Sequence, residues 1–399
     1  MDGTGRIPKV AILVSAAFKG ERSSIRGMLD YAAKHGPWFC LSVEGRQGEQ
    51  MLEIAKEGGV DGLIVTGLSR ELAREVAAFR KPVVFMEPSP EMLAPGFPIR
   101  GVPWVGRDSP EIGRTAARYF LERGYKSFAF VGEPENHYWN AERRRGFEET
   151  LAAAGFGCAV RDSYTAREKR SWAVEHRGLV KFLQRLPKPT AVFAPMDGRA
   201  RLVLEACLSA GIKVPEEIAV LGVDNDTILC ESTMPARSSI HTGGYLRGSI
   251  AAGMLDDLMH GREPAKKAVA LPPVSVVTRG STGYDAMRDP AVARAITFIR
   301  EQSAARGVTV AETAGRARCS RRYLERKFRE LLGRSVRDEI VLARIERVKT
   351  LLETGNATIG EIIGQAGFSG EKHLSTLFRK ATGSTMSDWR RRHRRAPEE

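Results

Sequence analysis

Cysteine is scarce in this chain. The 399 residues hold five, Cys40, Cys158, Cys207, Cys230 and Cys319, with no CxxC pair and no histidine at metal-ligand spacing. That pattern excludes a disulfide scaffold and a zinc site, and fits a reduced, cytoplasmic setting with no metal and no cofactor. Long apolar runs are missing too. The stretch Val10 to Phe18 is far below the roughly 20 residues that span a bilayer. The basic region before it is thin, no cleavage site follows, and Lys19-Gly20-Glu21-Arg22 interrupts it. It reads as a buried strand rather than a signal peptide, so no membrane partner is expected. Acidic residues are the third shortage, 48 against 62 Lys and Arg. The deficit is local: residues 288–399 hold 24 cations against 14 carboxylates, whereas the first 287 hold 38 against 34. A polyanion-binding surface requires such a concentration.

What is present in that basic region is written twice. Thr309-Val310-Ala311-Glu312 returns as Thr358-Ile359-Gly360-Glu361, Ser320 as Ser369, Phe328-Arg329 as Phe378-Arg379, and Gly333 as Gly383. The offset grows from 49 to 50 across the turn, so one copy has gained a residue there. Each Thr followed three residues later by Glu marks a helix start, because hydroxyl and carboxylate satisfy its free amides. Ser320 and Ser369 are N-caps for a second helix in each copy. Its buried face is expected to be Leu324, Phe328 and Leu331 in the first and Leu374, Phe378 and Ala381 in the second. The opposite faces carry Arg321, Arg322, Glu325, Arg326 and Arg329, then Glu371, Lys372, His373, Thr376 and Arg379. Between the copies, Val341, Leu342, Ile345, Val348, Leu351 and Leu352 form an apolar stripe that predicts one linking helix.

One such hairpin reads equally well as a solvated charged surface. Two of them, held by one helix, are suited to successive major grooves about 34 Å apart. Residues 288–392 resemble the AraC/XylS-type DNA-binding domain, down to the closing pattern Phe378-Arg379-Lys380, Gly383 and Trp389-Arg390. The resemblance implies base contacts from Arg321, Arg322 and Arg326 in the first unit and Lys372, His373 and Thr376 in the second. Some positions depart from the family pattern. Arg318 stands where such turns commonly have Gly, Met386 stands where a Pro is usual, and Gly315 and Gly364 weaken both first helices. The run Arg390 to Arg395 reads equally as a phosphate contact or a frayed tail.

From residue 7 to about 280, short apolar runs alternate with amphipathic stretches. Strands are expected at Val10 to Val14, Gly62 to Thr66, Val83 to Met86, Ser127 to Val131, Ala191 to Ala194 and Ile218 to Val223. Helices are expected at 24–34, 70–80, 109–123, 141–154, 199–211 and 244–260. Alternation of this kind predicts parallel α/β sheets, whose ligand sites lie past the strand carboxyl ends. Those positions hold Ser15, Phe18 and Arg22, then Trp139 and Arg143, then Asp197 and Arg199, then Asp224 and Asn225. Arg and Asp can take paired sugar hydroxyls, and Trp or Phe can stack on a sugar ring. Taken singly, each has an ordinary structural role open to it: Asp197 or Asp224 as a helix cap, Arg143 as a surface ion pair, Trp139 as core.

Residues 7–282 resemble the periplasmic-binding-protein type I sensors of LacI/GalR-type regulators. The matching residues are Gly124-Tyr125, Arg143, Gly146-Phe147, the run Pro215 to Asp224, Leu271-Pro272-Pro273 and Arg279-Gly280-Ser281-Thr282. The resemblance implies two lobes closing on a ligand, with Arg143, Asp224 and the Asp197 region as sugar contacts. Sensor first and double reader second resembles the XylR-like regulators, carried by Met196 to Arg201 and by the exit from Pro272 to Arg300. Ala17 and Phe18 depart from that pattern in the first-strand loop. The architecture so read is a sensor at 7–282, a linker at 283–290 and an all-α double helix-turn-helix at 291–392. Its implied partners are double-stranded operator DNA, a sugar effector with D-xylose as the first candidate, a second copy of the chain and RNA polymerase. Whether it activates or represses stays open. The rival classes are an enzyme using Asp197 and Asp224 as paired carboxylates, an alkyltransferase using Cys158 or Cys319, and a secreted transport component.

Overall fold

The structure, a computed structural model, describes residues 6–15, 19–42, 48–135, 137–283, 289–302, 308–332, 334–354, 357–368, 370–382 and 384–393. Phe18, Ser369, the linker residues 284–288, Gly333, Gly383 and the tail from residue 394 lie outside these. The chain divides into two compact units, one of residues up to Ile112 with His241–Ser275, the other of Gly113–Ile240 with Val276 onward.

The first unit is built on β1 (Lys9–Leu13), β2 (Phe39–Ser42), β3 (Gly62–Val65), β4 (Val83–Met86), β5 (Trp104–Arg107) and β11 (Ala268–Leu271). Their order is β11-β5-β4-β3-β1-β2, with all neighbours parallel. The second has β6 (Phe128–Val131), β7 (Ala159–Arg161), β8 (Thr190–Phe193), β9 (Ile218–Val223), β10 (Ser238–His241) and β12 (Ser275–Val277), in the order β12-β10-β9-β8-β6-β7. The helices between them are α1 (Lys19–His35), α2 (Gly48–Glu57), α3 (Arg70–Ala78), α4 (Pro90–Leu93), α5 (Ser109–Leu121), α6 (Tyr138–Ala153), α7 (Ala166–Arg170), α8 (Trp172–Arg185), α9 (Asp197–Ser209), α10 (Thr227–Glu231) and α11 (Gly244–Met259). Both sheets share one winding, and each reverses direction beside its first strand, β1 or β6. Crevices at such switch points are where doubly wound sheets hold ligands.

Sheets with helices on both faces demand strands apolar on both sides. Phe128–Val131 and Ile218–Val223 are accordingly buried at every residue. All six strands expected from apolar runs are present. The other six were hidden by polar letters or by an edge position. In β10, Ser238 and Ser239 are fully buried because their hydroxyls have work in the interior. The Ser238 hydroxyl accepts from the Arg279 amide at 2.7 Å, and the Ser281 hydroxyl accepts from the Ser238 amide at 2.8 Å while donating to the Val220 carbonyl at 2.6 Å. The segment Arg279–Thr282 is thereby sewn to β9 and β10. In the first unit, α1 and α11 pack backbone against backbone. A Cβ at Gly27 would lie 2.1 Å from the Tyr245 carbonyl oxygen, and one at Gly248 would lie 1.8 Å from that of Ser24.

The basic region is all helical: α12 (Pro290–Gln302), α13 (Val310–Arg316), α14 (Arg321–Leu332), α15 (Val336–Thr354), α16 (Ile359–Gln365), α17 (Glu371–Thr382) and α18 (Met386–His393). Both predicted starts are capped. Thr309 accepts from the Glu312 amide at 3.1 Å, and Thr358 with Glu361 closes a reciprocal capping box. Ser320 accepts from the Tyr323 amide at 3.2 Å at the head of α14. The residue gained in the second copy lies between Ser369 and Glu371.

The linking helix is present, but its stripe is displaced from the expected one. Val336 and Ile340 are buried with the first copy, and Ile345, Val348 and Leu352 are buried further along, where α15 packs on α16, α17 and α18. Val341 is only half-buried and Leu342 is 38% exposed. A helix serving two partners changes its buried face midway, and Leu342 falls at the change. Ala381 is likewise exposed rather than buried, since Leu374 and Phe378 already fill the inner face of α17.

Candidate functional site

In the second unit, α6 presents Trp139 and Arg143 one turn apart. The Arg143 guanidinium lies 4.9 Å from the Trp139 ring centroid, and the other side of the chain's entry to α6 stacks His137 on the indole, centroids 4.9 Å apart. Arg143 is buried and donates to the Pro195 carbonyl just past β8. It ties the start of α6 to the end of a neighbouring strand. Trp139 stays half-buried.

Arg199, on the first turn of α9, is only 1% exposed. It donates to the Glu175 carboxylate and to the Tyr164 hydroxyl, and lies 5.0 Å from the Tyr164 ring centroid. The Tyr164 hydroxyl in turn donates to the Gly132 carbonyl at 2.7 Å. Beside them is Glu133, whose Oε1 is buried with no hydrogen-bond partner among the described residues. Burial pushes its carboxyl up to about 7, against the pull of Arg199 and with the help of Glu135 and Glu175. Burial likewise lifts the Tyr164 phenol to about 12.

Asp197 begins α9 and is 3% exposed. Its Oδ2 accepts from the Asp226 amide at 2.8 Å and from the Cys230 thiol at 3.5 Å, and Oδ1 lies 3.8 Å from Nε of the fully buried Arg237. Burial pushes this carboxyl up to about 7; Ser239, Arg237 and the Asp226 amide oppose the rise, and the charge of Asp224 adds to it. Asp224 and Asn225 follow β9 with φ of 97° and 51°, in the left-handed region that non-glycine residues avoid. Asn225 is held from both ends, its amide by the Ser239 hydroxyl and its Oδ1 by Arg279, each at 2.8 Å. Strained residues of this kind gather at ligand sites.

Six expected contacts, Trp139, Arg143, Asp197, Arg199, Asp224 and Asn225, therefore sit past the carboxyl ends of β6, β8 and β9. In the first unit, Ser15 follows β1 and Arg22 lies on α1, both exposed. That unit also holds a charged cluster that the sequence reading missed. Arg107 pairs with Glu21 at 3.1 Å and Glu87 at 3.3 Å, and buried Arg247 reaches Glu87 at 3.1 Å. Glu87 directly follows β4, Arg107 ends β5 and Glu133 lies two residues past β6. The strand-end rule that found Asp224 would have found Glu87 and Glu133, whose strands were expected; Arg107 ends a strand that was not.

On the helical region, Arg321, Arg322, Arg326 and Arg329 of α14 are exposed and Glu325 is half-buried. Lys372, His373, Thr376 and Arg379 of α17 are exposed as well. The Thr376 hydroxyl donates to the Lys372 carbonyl at 2.9 Å, within its own helix. A residue the sequence reading left out is Tyr323, whose hydroxyl donates to the Asp289 carboxylate at 2.6 Å. That carboxylate also accepts from the Ala291 and Val292 amides at the head of α12. Arg390 donates to the Ala357 carbonyl at 2.6 Å, so the first residue of the terminal basic run braces the second copy.

Burial pushes the Cys158 thiol up to about 12 and raises that of Cys319, the opposite of what an acceptor thiolate needs. Among the described residues no three His, Cys, Asp or Glu side chains converge as a metal site, and no helix is long and apolar enough to cross a membrane.

Residues 117–282 match a periplasmic binding protein-like domain, and residues 313–392 match a helix-turn-helix domain. The xylose operon regulatory protein of Escherichia coli strain K12 is 28% identical over 386 residues, covering 96% of each chain. That of Haemophilus influenzae is 29% identical over 290 residues, 72% of this chain and 74% of the other. A solved structure of the xylose-binding transcription activator xylR superposes with a TM-score of 0.61 at 26% identity, covering 98% of this chain and 99% of that one. This chain thus carries a periplasmic binding protein-like domain followed by a helix-turn-helix domain, and over nearly its full length it is similar to the xylose operon regulatory proteins.

Proposed function

We propose that the chain is a sugar-responsive, sequence-specific DNA-binding regulator of pentose catabolic genes, with D-xylose as the first effector to test. One observation carries the proposal: a single chain joins a strand-end cluster suited to polyols to a duplicated reader with exposed basic helices. In the second unit, Trp139 supplies an aromatic wall beside the ligand, and Arg143 and Asp224 supply the donors and acceptor for ring hydroxyls. Arg321, Arg322 and Arg326 read base edges from α14; Lys372, His373 and Thr376 do so from α17, with Arg329 and Arg379 on phosphate. Sugar acts by favouring one conformation of the chain over another, which is all that a ligand can do. A homodimer presents four readers to a long operator, works in the cytoplasm and contacts RNA polymerase when it activates.

The regulator reading is preferred over an enzyme on geometry. Asp197, the second carboxylate a glycosidase would need, has its Oδ2 committed to the Asp226 amide and is almost wholly buried. A thermal-shift series with pentoses, hexoses and their phosphates is the test, since a ligand of the native state raises its melting temperature. A rise with D-xylose or a related pentose is expected, followed by sugar-dependent footprinting of the DNA upstream of the gene. Sugar turnover, or no response to any sugar, overturns the proposal for the sensor half.

A further inference from the structure

The Asp224–Asn225 turn cannot hold its shape by itself. Two successive non-glycine residues at φ 97° and 51° lie in a sparsely populated backbone region that persists only where neighbours enforce it. The surrounding structure must impose that backbone, and it does so through three consecutive amides. Asp224 donates to the Ile240 carbonyl at 2.8 Å, Asn225 to the Ser239 hydroxyl at 2.8 Å, and Asp226 to Asp197 Oδ2 at 2.8 Å. The first two acceptors belong to β10. Asp197, on α9, is the acceptor that holds the far side. It also fixes the residue that caps α10, since the Asp226 side chain accepts from the Leu229 amide.

The packing around Asp197 is specific to this arrangement. A Cβ at Gly222, on β9, would stand 2.4 Å from Asp197 Oδ1 and 3.2 Å from the Ala200 Cβ. Glycine there leaves room for the carboxylate to lie flat against the strand whose end it controls. Arg237, fully buried, faces it from the start of β10.

We infer that Asp197 is a positioning residue, which sets the conformation of the Asp224–Asn225 turn so that Asp224 can meet the sugar, and does not itself touch the ligand. The inference rests on the sugar-sensor reading for its consequence, but the positioning can be measured without any ligand.

The experiment uses the full chain and three variants: Asp197→Ala, Asp197→Asn and Gly222→Ala. Hydrogen–deuterium exchange is read over residues 224–230 and over the β6 and β8 strands. Asp197→Ala removes the acceptor and is expected to expose 224–230 while β6 and β8 stay protected. Asp197→Asn keeps an acceptor for the Asp226 amide and is expected to keep that protection, although both variants lose the pairing with Arg237 and melt earlier. Gly222→Ala leaves Asp197 in place but displaces its carboxylate, and is expected to expose the same segment. With D-xylose as probe, affinity is expected to fall about ten- to a hundredfold in Asp197→Ala and Gly222→Ala, and to stay within about threefold in Asp197→Asn. Unchanged exchange over 224–230 in Asp197→Ala overturns the inference, and so does equal loss of affinity in the Asn and Ala variants. Failure of the sugar reading looks different, because the unsubstituted chain then gives no response to D-xylose while the exchange pattern of the variants still decides the positioning role.

Discussion

The two helix-turn-helix copies have one geometry and two chemistries. Both close their first helix with the same six-residue bond, Cys319 amide to Ala314 carbonyl at 3.2 Å in one and Phe368 amide to Ile363 carbonyl at 3.0 Å in the other. Both place a left-handed residue just before it, but that residue is Arg318 at φ 56° in the first copy and Gly367 at φ 72° in the second. The reading helices also differ. α14 carries five cations against two carboxylates, and α17 three against one. At matching positions Tyr323 is bonded to Asp289, while His373 lies edge-on to Phe368, with centroids 6.1 Å apart. The first reader is therefore anchored to the residue that opens the helical region; the second is anchored within its own copy. Burial of a common apolar core dictates the hairpin, and leaves the polar face and the anchoring free to diverge.

The largest effects should come from the shared part. Phe328 and Phe378 are both fully buried. Their replacement by Ala is expected to cost about 3–5 kcal/mol each. Hydrogen exchange should show α14 opening first in Phe328→Ala and α17 in Phe378→Ala. Simultaneous opening of both helices in either variant would show that α15 fuses the copies into one cooperative block, and the contrast drawn above would then concern chemistry alone.

A second test addresses the reading faces. Arg326 and Thr376 occupy matching exposed positions; the Arg326 guanidinium lies 3.8 Å from Glu330 on its own helix and has several donors to spare, whereas the single Thr376 hydroxyl proton is given to the Lys372 carbonyl. Arg326→Ala is expected to weaken operator binding by about 1–3 kcal/mol, the range for a bidentate base contact. Thr376→Ala should cost less. Titrations of one operator fragment at fixed salt decide it, and equal losses would mean that the second copy reads as much as the first.

A smaller effect is expected in acid. Burial works to raise the Asp289 carboxyl, but the Tyr323 hydroxyl and the Ala291 and Val292 amides outweigh it, so the group titrates below the usual carboxylate range. A depressed folded value means that the stabilisation is fully present above the unfolded value, near 3.9, and is lost as pH falls through the folded one. Exchange in α12 and α14 should accelerate over that window in the unsubstituted chain. Asp289→Asn should remove the pH dependence, and Tyr323→Phe should reduce it without affecting α17.

Much of this was legible because helix and sheet periods are local. The repeat, both Thr starts, the Ser320 cap and six strands follow from the spacing of apolar and capping residues. What escaped was set by partners distant in sequence. Ser238 and Ser239 look unlike a strand until their bonds to Arg279, Ser281 and Asn225 are seen. Leu342 looks like core until α15 is found to change partners. Asp197 was legible as a residue at a strand end, but its bond to the amide of Asp226, 29 positions away, could not be read from spacing. Glu87 and Glu133 were within reach of the rule that found Asp224 and were passed over, whereas Arg107 ends β5, a strand the apolar pattern did not show.

The smallest expected effect is also the one with a sign that is easy to get wrong. Arg318 was recognisable in the sequence as a departure, because glycine is usual at that point of the turn, and the structure keeps the left-handed backbone there regardless. A left-handed non-glycine residue costs roughly 1–2 kcal/mol, while glycine loses about 0.5–1 kcal/mol more backbone entropy on folding. Arg318→Gly is thus expected to stabilise the first copy, by about 0.5–1 kcal/mol, and Gly367→Ala to destabilise the second by a similar amount. Denaturant titration of both variants measures the pair. Were Arg318→Gly to destabilise, the arginine side chain must contribute more than its backbone strain costs, and the turn of the first copy would be a built contact rather than a tolerated one.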